Sequence, residues 1–193
     1  MKKLLAAVLT TTTIFSSTVI PSVNVSAATI SSSDYAVAFK DSLWFYDANK
    51  CGPDVAKDNV FSWRSACHTD DGKFVGADFT GGFHDCGDHI KFGITNGYAA
   101  SIIGWSLYEF KEAYDGAGLT NKALSTLKYF TDYIIKSRVS STKYCYHVGE
   151  PSDHDYWGPP EQQNRDRNRV YYVEPSSPAS DVCGLYSGAL SLM

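Results

Sequence analysis

An all-α fold with long loops is what this sequence predicts, and three observations predict it. Apolar residues recur at helical spacing around residues 35–46, 98–108 and 123–135. The last two stretches are joined by Asp115-Gly116-Ala117-Gly118, a short glycine turn of the kind that closes an αα-hairpin. The remaining segments are long and show no sustained period, and only residues 144–148 and 170–173 read as extended.

In chain order, Lys2 and Lys3 precede an apolar, threonine-rich run over residues 4–20, then the small-residue cleavage site Val25-Ser26-Ala27. This is the layout of a secretory signal peptide over residues 1–28, and no later segment is apolar enough to span a bilayer. Ser33 or Asp34 is placed to cap a first helix carrying Tyr35, Ala38, Phe39, Leu43, Phe45 and Tyr46, ending near Asn49. Residues 51–82 read as loop, and a loop of that length inside a domain carries function or an internal staple. Over residues 93–114, Tyr98, Ile102, Trp105, Leu107 and Tyr108 wrap most of the way round, which predicts one deeply buried helix. Thr120 is expected to cap the next helix, with Ala123, Leu124, Leu127, Phe130, Ile134 and Ile135 as its stripe. Lys136 and Arg138 near its end suit the helix dipole. Residues 150–161 form a loop, residues 162–169 are polar, and residues 179–193 begin a further helix for which the sequence offers no packing partner.

The net charge of −4 argues against nucleic acid, whose phosphates call for a basic footprint. Thirteen Tyr and four Trp serve either as core or as surfaces on which sugar rings stack. Export exposes five cysteines to an oxidising compartment; five is odd, so at least one is unpaired or some bind metal.

Residues 76–92 concentrate the chemistry: three aspartates, two histidines, four glycines and a cysteine in one short run. Gly81, Gly82 and Gly87 suit positive φ or close backbone approach. Asp85 and Asp88 stand between them, just ahead of a helical pattern. They read either as a catalytic carboxylate pair or, for Asp88, as a helix cap near Ile90. Cleaving a glycosidic bond needs carboxyl groups on opposite sides of it. Two acids on one short loop suit the water side only, one orienting the water and the other taking its proton. The acid for the leaving oxygen must come from elsewhere. A second constellation joins Tyr146-His147-Val148-Gly149, Asp153-His154 and Trp157-Gly158-Pro159-Pro160-Glu161. There His154 and Trp157 could bind and stack on sugar, or Trp157 could simply pack into the core. A third is Cys51, Cys67, His68 and His84: two thiols and two imidazoles form a complete tetrahedral zinc set, while a Cys51–Cys67 disulfide is the alternative. Cys145 and Cys183 read as small buried hydrophobes or a second bridge.

Together these residues resemble glycoside hydrolase family 9, the cellulase family E endoglucanases. The run Asp78-Phe79-Thr80-Gly81-Gly82-Phe83-His84-Asp85-Cys86-Gly87-Asp88-His89-Ile90-Lys91-Phe92 is similar to the family signature Asp-Leu-Thr-Gly-Gly-Trp-Tyr-Asp-Ala-Gly-Asp-His-Val-Lys-Phe, with Cys86 in place of alanine. Tyr146-His147-Val148-Gly149, Asp153-His154 and Trp157-Gly158-Pro159-Pro160-Glu161 resemble its next run, and Pro178-Ala179-Ser180-Asp181-Val182 resembles the start of a later helix. The resemblance implies residues 29–193 to be the N-terminal portion of a catalytic domain: a partial (α/α)6 barrel with long loops, ending after about four helices. It implies inverting hydrolysis of β-1,4-glucan, with Asp88 as base and Asp85 as its partner in holding water. His154 and Trp157 would touch sugar, and Cys51, Cys67 and His68 would match a zinc group found in some members. His84 lies nearer the aspartates than those members' fourth ligand. The family's general-acid Glu and its calcium loop have no counterpart in these residues, so the isolated chain is expected to lack cellulase activity. A secreted, extracellular protein acting on cellulose follows from the same resemblance, with cellulosome attachment open for a longer form.

Overall fold

A computed structural model of the chain describes residues 30–85 and 87–193; the expected signal peptide over residues 1–28 and Cys86 lie outside the described residues. Helix α1 spans Ser32–Asn49. Its cap is Ser31 rather than Ser33 or Asp34. Ser31 Oγ accepts the Asp34 N–H while the Asp34 carboxylate accepts the Ser31 N–H, forming a capping box that satisfies two otherwise orphaned donors.

Strand β1, Lys91–Phe92, leads straight into helix α2, Gly93–Glu109. The single helix expected over residues 93–114 is two: Phe110, at φ −118 and ψ 33, interrupts it, and helix α3 resumes at Lys111–Gly116. The break lets Tyr114 enter a buried cluster with Leu43, Leu119 and Ala123. Nor is α2 buried all round. Gly93, Gly97, Ala100, Ile103 and Gly104 face inward, whereas Ile94, Tyr98, Ile102, Trp105 and Tyr108 are exposed.

The small residues explain which side packs. Helix α5, Ser180–Ser191, approaches α2 so closely that a Cβ on Gly97 would come within 2.9 Å of Leu185 Cβ, and one on Gly104 within 2.7 Å of Leu192 Cβ. Only glycine permits this separation. The C-terminal helix therefore does have a partner, contrary to expectation, and its Tyr186 is a core residue. Helix α4, Thr120–Lys136, buries Ala123, Leu127, Phe130 and Ile134 as expected, while Leu124 and Ile135 of the expected stripe are exposed. Thr120 does not cap it: Leu119 holds that position, and the Thr120 hydroxyl donates to Asp115.

Strand β3, Lys143–Val148, pairs antiparallel with β1, with β2 at Arg138–Ser140 and with β4 at Val170–Val173. The main core lies between α2, α4 and α5, where Phe83, Ile103, Leu127, Phe130, Val182 and Tyr186 meet. The architecture is a partial (α/α)6 barrel with a small four-stranded sheet, and it contains five helices among the described residues rather than about four. None of those helices is long and apolar enough to cross a membrane.

The 51–82 loop has one 3-10 turn, Lys73–Val75, as its only regular helix. Short bridges Lys50↔Phe83 and Gly52↔Cys67 pin its ends. Its centre is held by Asp71, which lies 2.8 Å from the Lys91 ammonium and 2.9 Å from Arg167 Nε, all three buried. Buried charges persist only when paired in this way. Burial alone would raise the Asp71 carboxyl, but Lys91 and Arg167 outweigh it and hold it down at about 2.

Candidate active site

The loop carrying the aspartates hangs from two helices. The His84 N–H donates to the carbonyl of Asn49 at the end of α1. Asn96 on α2 clamps Phe83 by accepting its N–H and donating to its carbonyl. Gly81 and Gly82 hold φ of +96 and +72, the left-handed region glycine tolerates. Beyond them the loop closes on itself. Asp85 N–H donates to the Ile90 carbonyl, and the Ile90 N–H donates to Asp88 Oδ1 at 2.8 Å. Asp88 therefore braces its own loop. It does not cap α2, which starts at Gly93 without a side-chain cap.

Asp88 is buried at its base and lines a groove of about 500 Å³ together with Trp63, His84, His89, Pro159 and Glu161. Asp85 lines a smaller recess of about 140 Å³ with Tyr46 and Thr95; Asn49 and His84 border both spaces. The second oxygen of Asp88 lies 2.7 Å from His154 Nδ1. His154 is thus brought to the site as the partner of the carboxylate. The Trp157 indole N–H donates to the His154 carbonyl, and its ring covers Gly87, where a Cβ would come within 2.5 Å of Cζ3. Trp157 is 72 % exposed, so it lies on the loop surface rather than in the core.

A further carboxyl in the groove, Glu161, was read in the sequence only as the end of the 157–161 run and given no role. Burial would raise it, but Arg64 Nε at 2.7 Å and the Ser65 N–H keep it below the usual carboxylate range. A carboxylate held ionised accepts hydrogen bonds and cannot donate a proton to a leaving oxygen.

Cys51, Cys67, His68 and His84 converge: their donor atoms lie within 4.8 Å of one another. Cys51 Sγ is 3.6 Å from His68 Nδ1, and His68 Nδ1 is 3.0 Å from His84 Nε2. A tetrahedral zinc with ordinary bond lengths requires donor separations of about 3.3–3.8 Å, so the group needs only small adjustment to fit. Cys51 and Cys67 are both free. A hydrogen bond from Cys51 pulls the Cys67 thiol down, while burial pushes Cys51 well up. Burial, then the neighbouring His68 and His89, keep His84 neutral, as a ligand must be. His68 is held at φ +47, a left-handed conformation unusual for a side-chain-bearing residue. Cys145 is buried and pushed up to about 12, chiefly by burial, whereas Cys183 is exposed and correspondingly is not the buried hydrophobe expected.

Stacked helices presenting a loop with two carboxylates, Asp88 in the groove and Asp85 in the recess that adjoins it, beside an exposed indole, make up a helical-barrel glycoside hydrolase. A family model described as Glycosyl hydrolase family 9 matches residues 35–193. The chain belongs to that family. It is 34% identical over 159 residues to Endoglucanase 4 of Bacillus sp. (strain KSM-522), covering 82% of this chain and 25% of that protein. The solved cellulase Cel9M of C. cellulolyticum is 58% identical with a TM-score of 0.80, covering 83% of this chain and 38% of that one. Cel9M has also been solved in complex with cellobiose. An endoglucanase from the termite Nasutitermes takasagoensis is 35% identical with a TM-score of 0.78, over 82% of this chain and 36% of that one. The chain thus spans about a quarter of the length of the curated relatives it matches.

Proposed function

We propose that this chain is the water-activating part of a secreted endo-β-1,4-glucanase that cleaves with inversion. The observation that carries the reading is Asp88 at the base of the groove, one oxygen fixed by the Ile90 N–H and the other facing His154. In this reading a glucan chain lies along the groove and Trp157 stacks on a ring. Asp88 takes a proton from a water that attacks the anomeric carbon, and Asp85 helps hold that water. The C–O bond breaks as a carboxylic acid on the opposite side protonates the leaving oxygen. Inverting enzymes place these groups roughly 6.5–9.5 Å apart. Glu161, held ionised by Arg64, does not suit that role, so the chain by itself binds glucan without cutting it.

Cys51, Cys67, His68 and His84 hold a structural zinc in this proposal. Four protein donors leave no position for a catalytic water, so the metal supplies cross-linking rather than chemistry. Export directed by residues 1–28 places the protein outside the cell, where its substrate is.

A chimera tests the catalytic proposal: residues 29–193 joined to the part of the C. cellulolyticum cellulase that they do not match. The chimera is expected to release reducing sugar from soluble β-1,4-glucan, and Asp88→Asn to lower the rate by at least about 10²-fold. The chain alone is expected to release none, yet to be retarded in a gel containing the glucan, less so as Trp157→Ala. Undiminished turnover by the Asp88→Asn chimera would refute the role of Asp88. Turnover by the chain alone, lost on Asp88→Asn, would refute its inactivity.

A further inference from the structure

A polar chain runs beneath the groove from the buried ion cluster to the metal-type donors, and Gln163 is its junction. Its side-chain oxygen lies 2.7 Å from His68 Nε2 and 2.9 Å from His89 Nδ1, and its amide nitrogen donates to Asp153 Oδ1 at 2.7 Å. Asp153 is fully buried and its other oxygen accepts from Arg167 Nη1 at 2.8 Å, so the carboxylate is charged and can only accept. That forces the NH2 of Gln163 toward Asp153 and its carbonyl oxygen toward the two histidines. A carbonyl oxygen has no proton to give, so both facing ring nitrogens must carry one.

We infer that Gln163 is a positioning residue that locks His68 and His89 in opposite tautomers. His68 carries its proton on Nε2, leaving a lone pair on Nδ1, the atom that faces Cys51 Sγ and His84 Nε2. His89 carries its proton on Nδ1, leaving Nε2 as the acceptor of a ring that lines the groove. One amide thus prepares the first histidine as a metal ligand and the second as an acceptor for a hydroxyl, and it ties the residue next to Asp88 to the cysteine cluster. In the metal-free protein the 3.0 Å contact between His68 and His84 closes with His84 Nε2–H donating to the bare His68 Nδ1, so zinc binding requires His84, not His68, to change tautomer.

Only the zinc arm of the test rests on the metal proposed above. The chain has five histidines, few enough to resolve their ring nitrogens in its long-range 15N–1H spectra at about pH 8, above the ordinary histidine range. Without metal, His68 is expected as the Nε2–H form and His89 as the Nδ1–H form. Gln163→Met, which keeps the length and loses the acceptor, is expected to mix both tautomers. Competition with a chromophoric chelator is expected to show zinc affinity about 10–100-fold weaker in Gln163→Met, the usual effect of losing a group that orients a ligand. The opposite tautomer at His68 or His89 in the unmodified protein overturns the inference, even if the variant does not fold, as do unchanged tautomers in Gln163→Met. Correct tautomers in a protein that binds no zinc would refute the metal proposal and leave the role of Gln163 standing.

Discussion

Gly82 and Gly87 flank Asp85 and respond oppositely to an added methyl group. At Gly82, φ is +72 and a Cβ would lie 2.6 Å from Cγ of Tyr133, a residue 1 % exposed that has nowhere to go. Gly82→Ala is expected to cost more than about 2 kcal/mol in denaturant unfolding, from backbone strain plus overpacking. At Gly87 the obstacle is the exposed Trp157 ring, which can swing aside. Gly87→Ala is expected to leave stability within about 0.5 kcal/mol, as surface changes do, while weakening retardation by β-glucan. Asp71 gives a third test. Its folded pKa of about 2 lies below the ordinary value, so its stabilising effect is present above about pH 4 and is lost as pH falls toward 2. Asp71→Asn is expected to flatten that acid limb and to cost about 3–5 kcal/mol at neutral pH, since Lys91 is left buried without its counter-charge. The sequence displayed the Asp85–Asp88 pair and the glycines around them, because they adjoin in the chain. It could not display Asp71, Glu161, Gln163 and Arg167 as site residues, since each finds its partner only through folding. For Gln163 and Arg167 the trace was the unexplained polarity of residues 162–169.

Among the elements, the helices were legible and their surroundings were not. Most of the α4 stripe, Ala123, Leu127, Phe130 and Ile134, was read correctly because its opposite face is polar, while Leu124 and Ile135 at its margins are exposed; α2 is apolar nearly all round, so its large residues carry no record of which side is covered. The record lies instead in its small residues: Gly93, Gly97, Ala100 and Gly104 mark the side against which α5 lies. Neighbouring isoleucines separate the two faces. Ile103 is 5 % exposed and Ile102 is 51 % exposed. Ile103→Ala is expected to cost about 2–5 kcal/mol through loss of buried area and an unfilled cavity. Ile102→Lys is expected to change stability by no more than about 0.5 kcal/mol and to raise the concentration at which the chain self-associates, measured by sedimentation. Equal destabilisation by both would mean that α2 is covered on all sides, as its composition alone suggests. The caps were misplaced by two or three residues at α1 because Ser31, Ser33 and Asp34 are chemically equivalent candidates. Only the reciprocal bonds between Ser31 and Asp34 choose among them.

At the scale of the whole molecule, the loop over residues 51–82 has to be held in place with almost no regular structure of its own. Two devices do this, the bridges at its ends and the buried Asp71–Lys91–Arg167 cluster, and the zinc proposed for Cys51, Cys67, His68 and His84 would be a third. The first two are complete within the chain. The third rests on two thiols and two imidazoles at separations suited to a tetrahedral ion, and His84 at its edge directly precedes Asp85. A metal there would bind the folded state alone, because the donors come from both ends of the loop and are scattered in the unfolded chain. Zinc in thousand-fold excess over its dissociation constant adds about 4 kcal/mol, and at about 2–4 °C per kcal/mol for a domain of this size the melting temperature should rise by about 8–16 °C. That shift is expected in zinc relative to chelator for the unmodified chain and for Asp88→Asn, and is expected to vanish in Cys51→Ser. A melt that ignores zinc but falls on adding a thiol reductant would show instead that Cys51 and Cys67 staple the loop as a disulfide, and His68 and His84 would then be buried only as hydrogen-bonding neighbours of the aspartate loop.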